Sequence, residues 1–387
     1  MDFLHGLGEG QQMKKWMKVG IVGYGQMGKM WAEVLSAMPG VELAAIAEPD
    51  QARRSEAFLM RRCSVFADVF QMFGISAGLD AVVIATHVTS HFNHVMHAFE
   101  RGCHVICEKP MALTLRQCDM MVSEAKRRGL KLAINHQSIF SRAAQTAQKK
   151  IMAGDIGKLY AIKAYGKGRI ACSDLMEIAG HLLHMMSFFA GYTVTEVYGD
   201  AIVDGRPVTL DDVKPILELY PQGRDSGLGA GDRLFGYYKF SNGIRGELHL
   251  DMLEGAPDTF GEKLGQSRNY GYNLELMGTK GRMQLYLPRF LFFNSSPLDD
   301  FSKNNTPWPE VDPALREDRD PILMRILTEQ FFEAIEKDWE LAVSGEIGRM
   351  VMDMTHGVYA SHLAGRPLPL PLADRRHPFC NSRFYKE

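Results

Sequence analysis

Val19-Gly20-Ile21-Val22-Gly23-Tyr24-Gly25-Gln26-Met27-Gly28 is an apolar, β-branched run ending in Gly-x-Gly-x-x-Gly. The spacing predicts a strand, a tight turn and a helix. Gly23 permits the turn, Gly25 lets the backbone approach a pyrophosphate, and Gly28 lets the helix pack on the strand. A pyrophosphate would then rest on the N–H groups and positive dipole end of that helix. Glu48 ends the next strand, twenty residues after Gly28, where a carboxylate binds ribose hydroxyls. The bland alternative is an ordinary strand-to-helix turn followed by a surface acid. A carboxylate at this place repels a 2′-phosphate, which favours NAD over NADP, while Arg53 and Arg54 nearby leave NADP open.

Outward from this turn, to about residue 135, β-branched runs alternate with amphipathic stretches. Strands are expected at Lys18–Val22, Val41–Ala47, Ala81–Ala85, His104–Cys107 and Lys131–Ile134, with helices such as Met27–Met38, His91–Arg101 and Leu115–Arg128. That alternation builds βαβ units and a doubly wound parallel sheet. Beyond it the strand-like runs Tyr160–Tyr165, Val194–Val203, Leu234–Phe240, Gly243–Met252, Tyr272–Met277 and Arg282–Leu287 follow one another through short turns. They predict a mixed, largely antiparallel open sheet. Helices are expected at Leu175–Phe189, Pro321–Ser344 and Glu346–Leu363, and a long loop at Asp299–Asp320. The fold class is therefore α/β: a Rossmann domain over residues 17–135 and an α+β domain over 136–344. The segment from about 345 to 387 is expected to return to the first domain.

Composition narrows the function. Of 387 residues, 44 are Lys or Arg and 46 are Asp or Glu, a formal charge of −2, with 46% apolar residues. Disorder needs fewer apolar residues and a larger net charge, and a nucleic-acid binder needs a basic surface. No apolar run reaches the ~18 residues of a membrane-spanning helix. The first sixteen residues lack the apolar core of a signal peptide and read as a loose leader. Six cysteines without a Cys-x-x-Cys pair read as reduced thiols of a cytoplasmic protein.

Two places carry chemistry. Glu108-Lys109-Pro110 follows the strand His104–Cys107, so Lys109 is expected at the ligand crevice at the strand's carboxyl end, with Glu108 as an orienting partner. The stretch Leu175–Phe189 is apolar nearly all round, except for Glu177, His181 and His184. At helical pitch these three fall within an arc of about 60°. Burying a carboxylate and two imidazoles is costly unless they pair or bind something, so the stripe suggests a site. A structural Glu–His pair and a zinc site are the alternatives. Among His87, His91, His94 and His97, His91 is placed to contact cofactor or substrate.

These pieces, in this order, resemble the Gfo/Idh/MocA family of NAD(P)-dependent oxidoreductases. The likeness rests on Val22 to Gly28, Asp80 to Thr86 with His91 downstream, His104 to Pro110, and Gly154 to Lys158. It extends to the terminal Ala360-Ser361, Gly365-Arg366 and Leu370 to Leu372. The resemblance implies NAD held by Gly23, Tyr24, Gly25, Gln26, Met27, Gly28, Glu48, Thr86, His91, Glu108 and Lys109. It further implies a secondary alcohol of a sugar, polyol or sugar derivative, contacted by Lys109, Arg169, His181 and His184. His181 would take the hydroxyl proton, Lys109 would steady the substrate oxygen, and Glu177 would orient His181; no metal is needed. Glu177 stands where the family commonly has Asp, His184 where many members carry a second Asp, and His87 where Pro is frequent. Ser138-Ile139 replaces an often Arg-rich stretch. Rival functions are a redox-neutral NAD-dependent lyase or glycosidase and a non-catalytic nucleotide- or sugar-sensing regulator. A homodimer or homotetramer through the second sheet is expected, with no nucleic-acid or membrane partner.

Overall fold

The computed structural model describes residues 17–75, 78–166, 171–219, 226–251, 273–286, 290–294, 311–312 and 320–385. The chain divides into two compact units. One runs to Asn135 and includes Asp320–Arg349; the other runs from His136 to Arg319 and includes Met350–Glu387. The leader at residues 1–16 and nearly all of the expected loop Asp299–Asp320 lie outside the described residues.

In the first unit the expected alternation is present. The order is β1 Met17–Val22, α1 Gln26–Ser36, β2 Val41–Ala47, α2 Gln51–Met60, β3 Ser64–Phe66, α3 Val69–Ile75, β4 Ala81–Ile84, α4 Val88–Glu100, β5 His104–Cys107, α5 Leu115–Arg128 and β6 Leu132–Ile134. The strands pair in parallel in the order β3-β2-β1-β4-β5-β6. Central strands are buried along nearly their whole length, as their unbroken apolar runs require. Local chemistry sets the helix ends. Asp50 Oδ1 accepts from Arg53 N at 2.8 Å to cap α2, and Thr114 with Gln117 forms a capping box on α5, which stops at Gly129 with φ +65°.

The returning segment is Asp320–Arg349, not 345–387. Helix Asp320–Lys337 packs on α1 and ends short of the expected Ser344. Ile134 N then donates to Val343 O at 2.8 Å, and Ala133 bridges Ser344, so this stretch covers the open edge of β6. Met350–Glu387 stays with the second unit because helix Gly345–Ala364 lies on that unit's sheet. A β-carbon at Gly199 would come within 2.0 Å of Val358 O, and Leu368–Pro369 pairs with the strand Val194–Val203.

The second unit adds α6 Arg142–Ala153, β7 Leu159–Tyr165, α7 Ala171–Glu177, α8 Ala179–Ala190 and β8 Val194–Val203, then strands Arg233–Phe240, Arg245–Asp251, Asn273–Gly278, Arg282–Tyr286 and Phe290–Asn294. Among the described residues they form one mixed sheet in which only Arg245–Asp251 and β7 run parallel. Met252, Tyr272 and Leu287, expected at strand ends, lie outside the described residues. Period-two alternation gives the sheet two unlike faces. Ile162, Ala164, Val197, Leu234, Tyr238, Leu248, Leu274, Leu276, Met283 and Leu285 are buried on one. Tyr165, Tyr198, Phe235, Tyr237, Glu247 and Lys163 stand on the other, half-buried or exposed.

The expected single helix Leu175–Phe189 is two helices separated at Ile178. All six cysteines lie among the described residues and none forms a disulfide. No described helix is long and apolar enough to cross a membrane.

The chain's last segment is docked by histidines. His356 is buried on helix Gly345–Ala364, and neither ring nitrogen has a partner among the described residues. Its ring lies 5.0 Å from that of His377, between centroids, close to the Asp353–Arg375 ion pair. Burial holds His356 well below the usual imidazole value and His377 down at about 4. With folded values below the unfolded 6.5, protons bind the unfolded chain first. Stability is therefore full above pH 6.5 and falls as pH drops toward 4. Thermal melts of His356→Leu should exceed wild type at pH 5, by a margin that shrinks at pH 8. An equal difference at both values would show that the charge plays no part.

Candidate functional site

The glycine turn has the geometry its spacing predicts. Gly23 adopts φ +93°, and a β-carbon there would lie 2.8 Å from Ala85 O. A β-carbon at Gly28 would lie 2.0 Å from Gly23 O, so nothing larger than glycine lets α1 start here. A β-carbon at Gly25 would meet only Arg53 Nη1, at 3.9 Å, which leaves room above the turn. Gly25 caps α1 without a side chain, so the first-turn amides contributed by Gln26 and Met27 remain available to an anion.

Glu48 is buried at the end of β2 and ties that strand to the turn. Oε2 accepts from Tyr24 N at 2.6 Å and Oε1 from Asp50 N at 2.9 Å. Each carboxylate oxygen has a second lone pair, so both stay able to accept from hydroxyls. Arg54 Nη1 donates to the carbonyls of Glu48 and Pro49 at 3.0 and 2.8 Å, whereas Arg53 reaches the glycine turn. Tyr24 is buried, and its hydroxyl accepts from Arg61 Nε at 3.0 Å.

At the carboxyl ends of β4 and β5, Thr86 and Lys109 are half-buried and the Lys109–Pro110 peptide is cis. His91, expected to touch cofactor or substrate, instead turns inward. It is 1% exposed, with Nδ1 2.8 Å from Pro110 O and Nε2 3.1 Å from Thr86 O. It fastens the two loops to each other, and burial lowers its pKa to about 4. Glu108, expected to orient Lys109, is also buried: its Oε1 accepts from Trp31 Nε1 and from Asn135 Nδ2, each at 2.8 Å. Neither donor was predicted. A Trp in an amphipathic helix and an Asn after a strand look like core and turn until the acceptor between them is known.

In the second unit, His181 and His184 share α8 while Glu177 ends α7. The expected stripe is therefore broken at Ile178, whose carbonyl accepts from His181 N at 3.1 Å. Beside the break, a β-carbon at Gly180 would lie 3.3 Å from His136 Nε2. His181 is half-buried, with Nδ1 3.4 Å from Ser138 Oγ. Behind it His184 and His136 are buried, their ring centroids 5.1 Å apart, with His136 5.9 Å from His181. Glu177 Oε1 accepts from Ser226 Oγ at 2.5 Å. Sequence reasoning missed His136 and Ser226, which no periodicity marks. Arg169 lies outside the described residues. Among those described, no three His, Cys, Asp or Glu side chains are grouped to hold a metal ion.

Chemically, the first unit offers amide donors for an anion, acceptors for hydroxyls and a lysine. The second offers an accessible imidazole next to a hydroxyl, able to take and return a proton.

Comparisons with known proteins agree with this geometry. Residues 17–136 match the model of an oxidoreductase family with an NAD-binding Rossmann fold, GFO_IDH_MocA. A 2,7-anhydro-N-acetylneuraminate hydratase of Mediterraneibacter gnavus is 30% identical over 36% of this chain and 36% of its own. The scyllo-inositol 2-dehydrogenase (NAD(+)) of Bacillus subtilis is 22% identical over 70% of this chain and 73% of its own. Among solved structures, the WlbA dehydrogenase of Bordetella pertussis, in complex with NADH and UDP-GlcNAcA, has a TM-score of 0.67. At 19% identity it covers 93% of this chain and is itself covered in full, which establishes a shared fold. Residues 17–136 of this chain, with the glycine turn and the parallel strand order, match the NAD-binding Rossmann fold of the Gfo/Idh/MocA oxidoreductases.

Proposed function

We propose that this chain is an NAD-dependent oxidoreductase acting on a secondary alcohol of a sugar, polyol or sugar derivative. The observation that carries the proposal is His181: an accessible imidazole on an otherwise buried, apolar helix, in a chain that also contains an NAD-binding fold. The B. subtilis relative, named for oxidising an inositol with NAD(+), supports the substrate class.

The turn at Gly23–Gly28 fits a dinucleotide, because a β-carbon at position 25 would meet only Arg53 Nη1, at 3.9 Å, which leaves room above the first helical amides. Gly23, Tyr24, Gly25, Gln26, Met27 and Gly28 would present backbone amides to the pyrophosphate, and Glu48 would accept from the adenosine ribose. Thr86, Glu108 and Lys109 would line the nicotinamide side. His91 acts there indirectly, by holding the Thr86 and Pro110 loops together. NAD, when bound, supplies the hydride acceptor. Glu48 disfavours a 2′-phosphate; Arg53, at the glycine turn, is the residue through which NADP would be tolerated.

His181 accepts the substrate's hydroxyl proton as the carbinol carbon is oxidised, and returns it in the reverse direction. Ser138 steadies the ring at Nδ1, and Glu177, itself anchored by Ser226, is assigned to favour the imidazolium that forms. The Lys109 ammonium stabilises negative charge on the substrate oxygen. Arg169 is assigned to substrate selection, whereas His184, also expected to contact substrate, is 1% exposed and packs on His136 behind the site. Cysteines that form no disulfide suit a reducing cytoplasm.

A second reading has its own support. Hydration involves no net oxidation, and the M. gnavus relative is named a hydratase. An oxidation reversed within the same turnover would use the same residues and leave NAD unchanged.

The half-open face of the second unit's sheet is proposed to join copies of this chain. Tyr198 faces Tyr237 across one strand pair, Glu247 faces Lys163 across another, and Lys239 pairs with Glu196. Alternating charges around exposed rings form a surface that a two-fold axis can match to itself.

Two outcomes check these proposals. Incubated with NAD and a panel of pyranoses, inositols and sugar nucleotides, the protein should generate NADH absorbance with at least one member. His181→Ala should lower that turnover at least ~100-fold with NAD affinity unchanged; near-normal turnover would remove His181 from its role. Product with tightly held NAD and no absorbance change would favour the second reading. Light scattering should give the mass of two or four chains, and Tyr237→Asp should reduce it. A monomeric wild type at micromolar concentration would contradict the interface.

A further inference from the structure

Glu108 presents a problem the proposed chemistry does not settle. It is a carboxylate 3% exposed, and the hydrogen bonds to its side chain among the described residues come from two uncharged groups. Trp31 is fully buried on α1, the helix that starts at the glycine turn, and Asn135, 1% exposed, follows β6. Both bonds land on Oε1. A charge this deeply buried is kept only when its hydrogen-bonding capacity is used. Here one oxygen is held from two sides, and the other keeps its lone pairs for a donor outside this set.

Holding one oxygen with two donors fixes the plane of the carboxylate. A single bond would let the group swing, whereas donors on different elements stop it. Glu108 is also bound into the sheet by its own N–H, which donates to Ile84 O at 2.9 Å, and Asn135 N donates to Cys107 O at 2.8 Å. Helix α1 and the residue after β6 thus hold the Glu108 side chain while β4 holds its backbone, next to Lys109.

We propose that Trp31 and Asn135 are positioning residues for cofactor binding: they hold Glu108 so that its second oxygen accepts from a hydroxyl of the bound dinucleotide and Lys109 follows in a fixed place. This rests on the cofactor lying along the strand ends of the first unit. The link is electrostatic as well as geometric. A hydroxyl bonded to an ionised acceptor contributes more than one bonded to a neutral group, so loosening the acceptor is felt in affinity.

The test uses the full chain and NADH as the probe, with binding read from nicotinamide fluorescence and folding from thermal melts. Trp31→Phe and Asn135→Leu should each weaken NADH binding roughly tenfold, the loss expected for one hydrogen bond to a charged group. In a Glu108→Leu background neither should weaken it further, because both act through that carboxylate. Wild-type affinity in both single variants, or equal losses with and without Glu108, would overturn the proposal.

A second measurement needs no substitution. The chain has four tryptophans, so exchange of the Trp31 indole N–H can be followed by NMR. NADH should slow that exchange at least severalfold, since the ligand locks the acceptor; unchanged exchange at saturating NADH would overturn the proposal. Wild-type protein that binds no NADH would overturn the cofactor placement itself, a result distinguishable from both.

Discussion

The carbonyl oxygen of Gly23 lies where a β-carbon on residue 28 would come within 2.0 Å of it. That close approach lets α1 begin on top of β1, and several features follow from it. The helix leaves its first amides at the carboxyl edge of the sheet, facing the room above Gly25. It brings the Tyr24 amide within reach of Glu48, so that the carboxylate at the end of β2 joins the turn. One turn further along, it places the Trp31 indole against Glu108 at the end of β5. A single steric allowance thus connects the phosphate end of the crevice to the lysine end.

The second unit solves a different problem. Its sheet buries one face under α8 and the helix Gly345–Ala364, and that contact is tight enough to require Gly199 and Gly246. An apolar helix used in this way has no reason to carry three imidazoles nearby unless at least one of them is used. His184 and His136 are buried behind, and His181 alone of the three keeps some exposure. The break at Ile178 turns Glu177 toward Ser226 and leaves His181 in the first turn of a new helix. An imidazole at a helix start, backed by a packed layer, is held in place by the core rather than by a loop.

Much of this was legible because it depends on local pattern. Glycine spacing and β-branched runs announce the first unit, and α5 spans Leu115–Arg128 as expected. The short β3 and α2 escaped notice for a physical reason. Phe58, Leu59 and Met60 are three consecutive exposed apolar residues, so α2 carries no clean amphipathic period. Other features are fixed by partners far along the chain. The return of Asp320–Arg349, for one, depends on Val343 and Ser344 reaching the edge of β6. His91 looked like a ligand because it sits near the site, yet its two ring nitrogens are taken up by backbone carbonyls. Trp31 and Asn135 carry no mark in the sequence because their shared acceptor is seventy-seven residues from one and twenty-seven from the other.

The central claim is that a carbinol hydrogen passes between a sugar-like alcohol and the cofactor held by the glycine turn. Deuterium transfer tests it most directly. NADH labelled with deuterium at the transferring position of C4 would be incubated with the full chain and a panel of keto-sugars and keto-inositols, and the products weighed by mass spectrometry. The account predicts a product one mass unit heavier, with the label on the new carbinol carbon and NAD formed in equal amount. Reduced product without the label, or label retained in NADH throughout the panel, would contradict it.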